Sequence, residues 1–265
     1  MRRPANLPLP ANIRYRSSIR RALRDRGFDD FETFASVSKQ QASMMRRHKG
    51  NDKCKWEAIG YCRQDDICRV PKRCQAACLI GNWAYRSEII VAVHDKIKEV
   101  PREAFLVTVV LESWSFQLGR LADLKPATPH RWIQGRLQNL KGVRGIAYVD
   151  VSFNTMGANS VWQGHLHAVL TGATKEELKA ALSVKANAAV PKPVMVKEIA
   201  DGDLVHVLAY ATKPLPEGRV AYVAENGRQA QRFINVPPKH LREHDLWRMG
   251  MLMPDRHQLI GMRIG

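Results

Sequence analysis

The chain has 265 residues, enough for one domain with appendages or for two small domains, and 45% of them are hydrophobic. It contains 42 Lys and Arg against 25 Asp and Glu, a formal net charge of +17, which favours a polyanionic partner such as nucleic acid. No segment approaches the ~20 apolar residues needed to span a bilayer, and the N-terminal residues lack the apolar run of a secretory signal. We therefore expect no membrane association and a cytoplasmic protein.

The first 50 residues are polar and rich in arginine. Short helices are predicted over Ser17–Arg26 and Asp30–Met45. Arginine in an acid-poor segment is typical of arms that contact DNA phosphates, although an organellar transit peptide has a similar composition. Because the rest of the chain is also basic, we interpret residues 1–50 as a basic arm, with these predicted DNA contacts: Arg20, Arg21 and Arg24.

All five cysteines lie between Cys54 and Cys78. Clustered cysteines without a secretory signal favour metal binding over disulfides. The spacing lacks a repeated C-x2-C pair, so a set of reduced, partly buried thiols is the alternative to zinc. We predict a small zinc module within residues 51–100, with Cys54 as the spare cysteine and a helix over Asn82–Val100 that links the module to the next domain. The predicted zinc ligands are Cys62, Cys68, Cys74 and Cys78, and the predicted DNA contacts between them are Arg69, Lys72 and Arg73.

Residues 101–215 have the pattern of an α+β domain with a central antiparallel sheet and flanking helices. Two alternating segments separated by a turn over Asn154–Ser160 predict an antiparallel hairpin. Capping and turn residues bound the helices: one is predicted to begin at Thr128 and stop at Gly142, and another to begin at Thr174. The predicted strands are Phe105–Leu111, Ile146–Phe153 and Val161–Leu170, and the last helix runs from Asp201 or Asp203 to Lys213. Residues 216–265 are assigned as a C-terminal extension with a short strand pair around Val220–Ile234.

His165 and His167 are two residues apart in the strand Val161–Leu170. Because side chains alternate across a sheet, both imidazoles face one side while Leu166 and Ala168 face the core. Asp150 lies on the polar face of the neighbouring strand and is expected opposite Gly164 or His165. Two histidines and one carboxylate are suitable ligands for a divalent metal with open positions, although a solvated polar sheet face is the simpler interpretation of a His-x-His pair alone.

His206, Tyr210 and Lys213 share one stripe of the last predicted helix, whereas Val205, Leu208, Ala209 and Thr212 form a mainly apolar face. A phenol is protonated at neutral pH, so Tyr210 needs help to act as a nucleophile. A metal that polarises a phosphate and a lysine that counters developing charge are suitable helpers. The alternative is a tyrosine that anchors an amphipathic helix.

Three segments in this order resemble the His-hydrophobic-His endonuclease superfamily, and within it the plasmid rolling-circle replication initiators: Phe-Leu-Val-Thr-Val-Val (105–110), His-Leu-His (165–167) and Tyr-Ala-Thr-Lys (210–213). The resemblance spans 105–213 and implies that His165 and His167 bind Mg²⁺ or Mn²⁺, that Tyr210 is the nucleophile and that Lys213 is its electrostatic partner. It also implies an acidic ligand at Asp150 and an upstream cysteine-rich segment. Relatives that use two tyrosines have the second one four residues on, where this chain has Pro214, so a single-tyrosine mechanism is expected.

The resemblance implies nicking of single-stranded DNA or of an origin hairpin through a 5′-phosphotyrosine, which leaves a 3′-hydroxyl primer for a host polymerase working with a helicase. A relaxase or a transposase of the same superfamily is an alternative. A non-catalytic zinc-dependent DNA-binding regulator is the alternative outside it.

Overall fold

The computed structural model describes residues 21–28, 31–48, 75–156, 159–223 and 229–264. Most of these residues form helices and strands. The helices are α1 (Phe34–His48), α2 (Leu79–Lys98), α3 (Ala127–Leu137), α4 (Lys175–Ala181), α5 (Leu204–Ala211) and α6 (Pro238–Met249), with 3-10 turns at Leu121–Asp123 and Met253–Arg256. The strands are β1 (Ala104–Gln117), β2 (Arg144–Met156), β3 (Asn159–Thr171), β4 (Val194–Glu198), β5 (Glu217–Val223), β6 (Gln229–Ile234) and β7 (His257–Ile260).

These strands form one sheet in the order β4-β1-β3-β2-β5-β6, and β7 pairs with the same edge of β2 that β5 uses. The α+β class is confirmed. The sheet is mixed rather than purely antiparallel, because β5 runs parallel to β2. After β3 the chain crosses through α4, β4 and α5 before it reaches the free edge of β2, and such a crossover allows parallel pairing.

The hairpin of β2 and β3 forms the centre of the sheet and separates two cores. Alternate β2 residues such as Val149 and Val151 pack with α3, α4 and α6 through Ile133, Leu178 and Trp247. The other face packs against α2 and α5. The predicted alternation of core-facing and polar side chains along β2 and β3 is therefore confirmed. Pairing of the two strands continues to Met156 opposite Asn159, so the connection between them is shorter than the predicted turn over 154–160.

Several predicted helix boundaries shift in the structure, including both ends of α1 and of α2. Pro126 occupies the N-cap of α3 and Thr128 lies inside its first turn, so the prediction of Thr128 as N-cap was wrong. α3 also ends at Leu137, and α5 ends at Ala211 with Thr212 as C-cap. The capping box of Thr174 and Glu177 is confirmed.

Helix α2, the predicted linking helix, is part of a hydrophobic core. Its side chains, among them Trp83 and Ile90, are buried in the same core as Leu208 of α5. Cys78 is buried at the N-cap of α2, where its Sγ accepts a hydrogen bond from the Gly81 amide at 3.3 Å. The remaining predicted zinc ligands (Cys62, Cys68, Cys74) and the predicted DNA contacts Arg20, Arg69, Lys72 and Arg73 lie outside the described residues.

The predicted boundary between 215 and 216 does not separate structural units. Strands β5, β6 and β7 extend the central sheet, and Trp247 of α6 is buried in the core that β2 and β3 also line. In the N-terminal region, Arg21 and Arg24 are exposed while Leu23 between them is buried. No helix in the described part of the chain has the length and apolar content needed to cross a bilayer.

Candidate active site

The pairing of β2 with β3 places the predicted histidines and carboxylate on one face of the sheet. Asp150 lies directly opposite His165, one of the two predicted positions, and Tyr148 lies opposite His167. The two imidazole ring centroids are 5.8 Å apart. Leu166 and Ala168, between and after the histidines, are buried in the opposite core as expected.

Two hydroxyl groups that the sequence did not single out orient the imidazoles. Ser152 Oγ is 2.8 Å from His165 Nε2, and Thr108 Oγ1 on β1 is 3.1 Å from His167 Nδ1. Both contacts follow from the strand register. Ser152 lies on the same polar face of β2 as Asp150, and Thr108 lies opposite His167. Such hydroxyl contacts fix the orientation of the rings.

Both histidines are buried, which the sequence did not predict. Desolvation lowers the pKa of His165 well below its ordinary value, and the neighbouring His167 lowers it further. Desolvation also lowers the pKa of His167 to about 4, although Asp150 opposes this shift. Both rings are therefore neutral near pH 7, the protonation state in which imidazole binds a metal.

Asp150 is also buried, and two cations compensate its charge. Lys213 Nζ is 3.6 Å from Oδ2, and Arg256 Nη2 is 3.5 Å from Oδ1. Arg256 is fully buried, its Nε donates to the Val149 carbonyl at 3.1 Å, and its guanidinium lies 4.4 Å from the ring centroid of Tyr148. No motif marks Arg256 in the sequence, and it reaches Asp150 only because β7, which follows it, pairs with β2.

Tyr210 lies above the histidine pair on α5. Its ring centroid is 5.5 Å from that of His167, and Lys213 Nζ is 4.6 Å from the Tyr210 ring centroid. The Tyr210 side chain is 41% exposed, so the hydroxyl-bearing ring is accessible from outside. The opposite side of α5 is buried through Val205, Leu208 and Ala209, as predicted, with Thr212 buried beside them.

The position of Lys213 is fixed by contacts to its backbone and its ammonium. The Tyr148 hydroxyl donates to the Lys213 carbonyl at 3.2 Å, and burial raises the pKa of Tyr148, so this hydroxyl remains a donor. Lys213 Nζ also forms a close ion pair with Glu217, and Arg219 Nη2 is 2.8 Å from the other Glu217 oxygen. Burial of Glu217 opposes its ionisation, but hydrogen bonds from Arg219 and Lys213 outweigh this effect and lower its pKa. Glu217 was not predicted as a site residue because the predicted domain, residues 101–215, ended before it.

His206, although on the predicted stripe with Tyr210, belongs to a different contact. Its ring packs edge-on against Phe28, with centroids 4.6 Å apart. The residues that the structure brings together are thus Asp150, His165, His167, Tyr210 and Lys213.

Imidazole and carboxylate are ligand types that bind divalent ions, and this cluster contains both. Two neutral imidazoles lie side by side, and the buried Oδ1 of Asp150 has no hydrogen-bond partner among the described residues. Within the same residues, no three His, Cys, Asp or Glu side chains are grouped so that they could hold a metal ion. The imidazoles are thus the available protein donors, while Asp150 is engaged by Lys213 and Arg256.

No protein-family model, curated protein or solved structure matches this chain. The site contains an accessible phenol beside a paired ammonium and two neutral imidazoles.

Proposed function

We propose that this chain is a metal-dependent DNA-nicking and strand-transfer enzyme of the rolling-circle initiator type, with Tyr210 as its single nucleophile. The observation that supports this function best is the contact between two distant sequence motifs. The Tyr-x-x-Lys segment of α5 lies against the His-hydrophobic-His strand, with Tyr210 packed on His167 and Lys213 paired with Asp150. The net charge of +17 is consistent with a DNA substrate.

In this reaction the Tyr210 oxygen attacks a DNA phosphorus, and the bond from phosphorus to the 3′-oxygen breaks. The phenolic proton is released, the departing 3′-oxygen becomes a hydroxyl after protonation, and the phosphate remains on Tyr210 as a 5′-phosphotyrosine. Lys213 Nζ is 4.6 Å from the Tyr210 ring centroid, and in the proposed reaction it would offset the negative charge that develops on the phosphate oxygens. Ion pairs with Asp150 and Glu217 hold the Lys213 ammonium group in this position.

His165 and His167 would hold Mg²⁺ or Mn²⁺, which supplies Lewis-acid polarisation of the phosphate when bound. The hydroxyl groups of Ser152 and Thr108 contact the two rings and restrict their orientation. The free 3′-hydroxyl is a primer, so a host polymerase and helicase are the proposed partners.

The decisive experiment is Tyr210→Phe, which removes only the nucleophilic hydroxyl. We expect the wild type to form a covalent adduct with labelled single-stranded DNA in Mn²⁺ or Mg²⁺, and the variant to bind DNA without forming one. Tyr222→Phe is the matched control, because Tyr222 is 46% exposed against 41% for Tyr210. A phosphotyrosine mapped by mass spectrometry to Tyr222 would overturn the assignment, and the absence of any adduct from the wild type would favour the non-catalytic DNA-binding regulator.

A further inference from the structure

A continuous line of contacts leads from the proposed nucleophile to the end of the sheet. Lys213 contacts Glu217, Glu217 contacts Arg219, and the Arg219 guanidinium carbon is 5.7 Å from the Phe233 ring centroid. Arg219 and Phe233 are direct partners in the pairing of β5 with β6. The two side chains therefore form one surface element that begins beside Lys213.

Phe233 is unusually exposed for an aromatic residue. At 75% exposure it is the most accessible large hydrophobic side chain of the described residues. It also lies on β6, the last strand of the sheet path, where an exposed apolar side chain invites unwanted strand pairing. The ring therefore contributes little to the core, and its exposure suggests a binding role.

A cavity of about 480 Å³ borders Phe233 and also contacts Glu217. Much of its wall is apolar, with contributions from Ile234, Val236 and Leu241. Flat apolar rings beside a guanidinium are the elements that proteins use to stack unpaired bases while contacting the phosphate backbone.

We propose that Phe233 and Arg219 form a stacking platform for an unpaired base of single-stranded DNA. The platform binds a nucleotide near the one whose phosphate lies at Tyr210, so this inference rests on the proposed function for the position of that phosphate. Single-stranded DNA is the expected partner because duplex bases are already stacked on each other. Stacking of this kind tolerates any base, so the platform contributes affinity and strand placement rather than sequence recognition.

The test uses the full-length chain with Tyr210→Phe, which binds DNA without cleaving it. Fluorescence anisotropy gives the Kd for a labelled single strand and for the same sequence as a duplex. Phe233→Ala is expected to weaken single-strand binding roughly 5- to 150-fold, the range for loss of one stacked base, with little change for the duplex. Phe233→Trp should retain affinity, and Leu246→Ala, which removes another exposed apolar side chain, should leave it unchanged.

Photo-cross-linking with 5-iododeoxyuridine placed next to the nick position supplies a second readout, with Phe233 as the expected cross-linked residue. An unchanged Kd in Phe233→Ala, or an equal loss for single strand and duplex, overturns the platform. If the wild type forms no adduct but Phe233→Ala still loses single-strand affinity selectively, the platform stands and the nicking function fails. If the wild type nicks efficiently and Phe233→Ala leaves the Kd unchanged, the nicking function stands and the platform fails.

Discussion

The buried guanidinium of Arg256 offers a quantitative test of how the site is held together. Arg256 Nη2 lies 3.5 Å from Asp150 Oδ1, and both side chains are almost completely inaccessible. Replacing Arg256 with Met keeps much of the apolar packing against Tyr148 and Trp247 but removes the charge. Asp150 is then left in the interior with Lys213 as its only remaining ion-pair partner among the described residues.

The expected loss can be bounded from the distances. Two unit charges 3.5 Å apart attract by about 5 kcal/mol at an effective dielectric constant near 20. Removing one partner of a buried pair typically costs about 3–5 kcal/mol. Because Lys213 stays 3.6 Å from Asp150, we expect Arg256→Met to lose about 3 kcal/mol of unfolding free energy, the lower end of that range.

The double variant Asp150→Asn with Arg256→Met removes both charges together. Its loss should be about 1 kcal/mol, smaller than that of Arg256→Met alone, because no uncompensated carboxylate remains. Urea denaturation measures both variants, with the change in midpoint multiplied by an unchanged m value giving the free-energy difference.

The control is the ion pair of Arg26 and Asp95. Its charged atoms are closer, 2.6 Å apart, but its side chains are 21% and 48% exposed. We expect Arg26→Met to cost less than about 1 kcal/mol despite the shorter distance, because solvent screens this pair. The reasoning fails if Arg256→Met is no more destabilising than Arg26→Met, or if the double variant is no more stable than Arg256→Met.

Three further outcomes are expected for the site, the core and the N-terminal arm. Lys213→Ala keeps the nucleophile, so adducts should still form in single-turnover assays but roughly 10²-fold more slowly; a wild-type rate would contradict its electrostatic role. Burial lowers the pKa of His130 to about 4, so the unfolded chain binds more protons between pH 6.5 and 4 and stability falls as the pH falls through this window. In urea denaturation at several pH values, His130→Gln should reduce the slope of unfolding free energy against pH by about 1.4 kcal/mol per pH unit. An unchanged slope would exclude His130 as a source of the pH dependence. Deleting residues 1–20, which keeps the buried Leu23 and the ion-paired Arg26, should reduce the salt dependence of DNA binding while cleavage of saturating substrate persists, and an unchanged salt slope would count against a phosphate-binding arm.

The sequence predicted the centre of the fold well because strand periodicity is a local property. Alternation in β2 and β3 places Val149 and Leu166 in one core and Asp150 and His165 on the other face, and a turn between the strands sets the register. The contact between Tyr210 and His167 required the family resemblance as well, since periodicity alone does not indicate which face of the sheet α5 covers.

The residues that the sequence missed depend on pairing between distant segments. Arg256 reaches Asp150 because β7 pairs with one part of the β2 edge. Glu217 is only four residues from Lys213, and the pairing of β5 with the next part of the β2 edge holds this local ion pair beside the site. The composition of 216–265 gives no sign that this segment completes the central sheet. Its strands are short, and which free edge they join is decided by the tertiary fold.

The burial of the histidine pair shows how the two motifs depend on each other. Taken separately, the polar face of β3 and the polar stripe of α5 each predict exposed side chains. In the structure the helix lies against that sheet face, so Tyr210 packs on His167, and both imidazoles are buried. Desolvation then lowers their pKa values and keeps the rings neutral, the form that binds a metal. The helix that carries the proposed nucleophile therefore also packs on one of the two proposed metal ligands, and if the proposed function holds, a change that loosens α5 should weaken metal affinity together with nucleophilic attack.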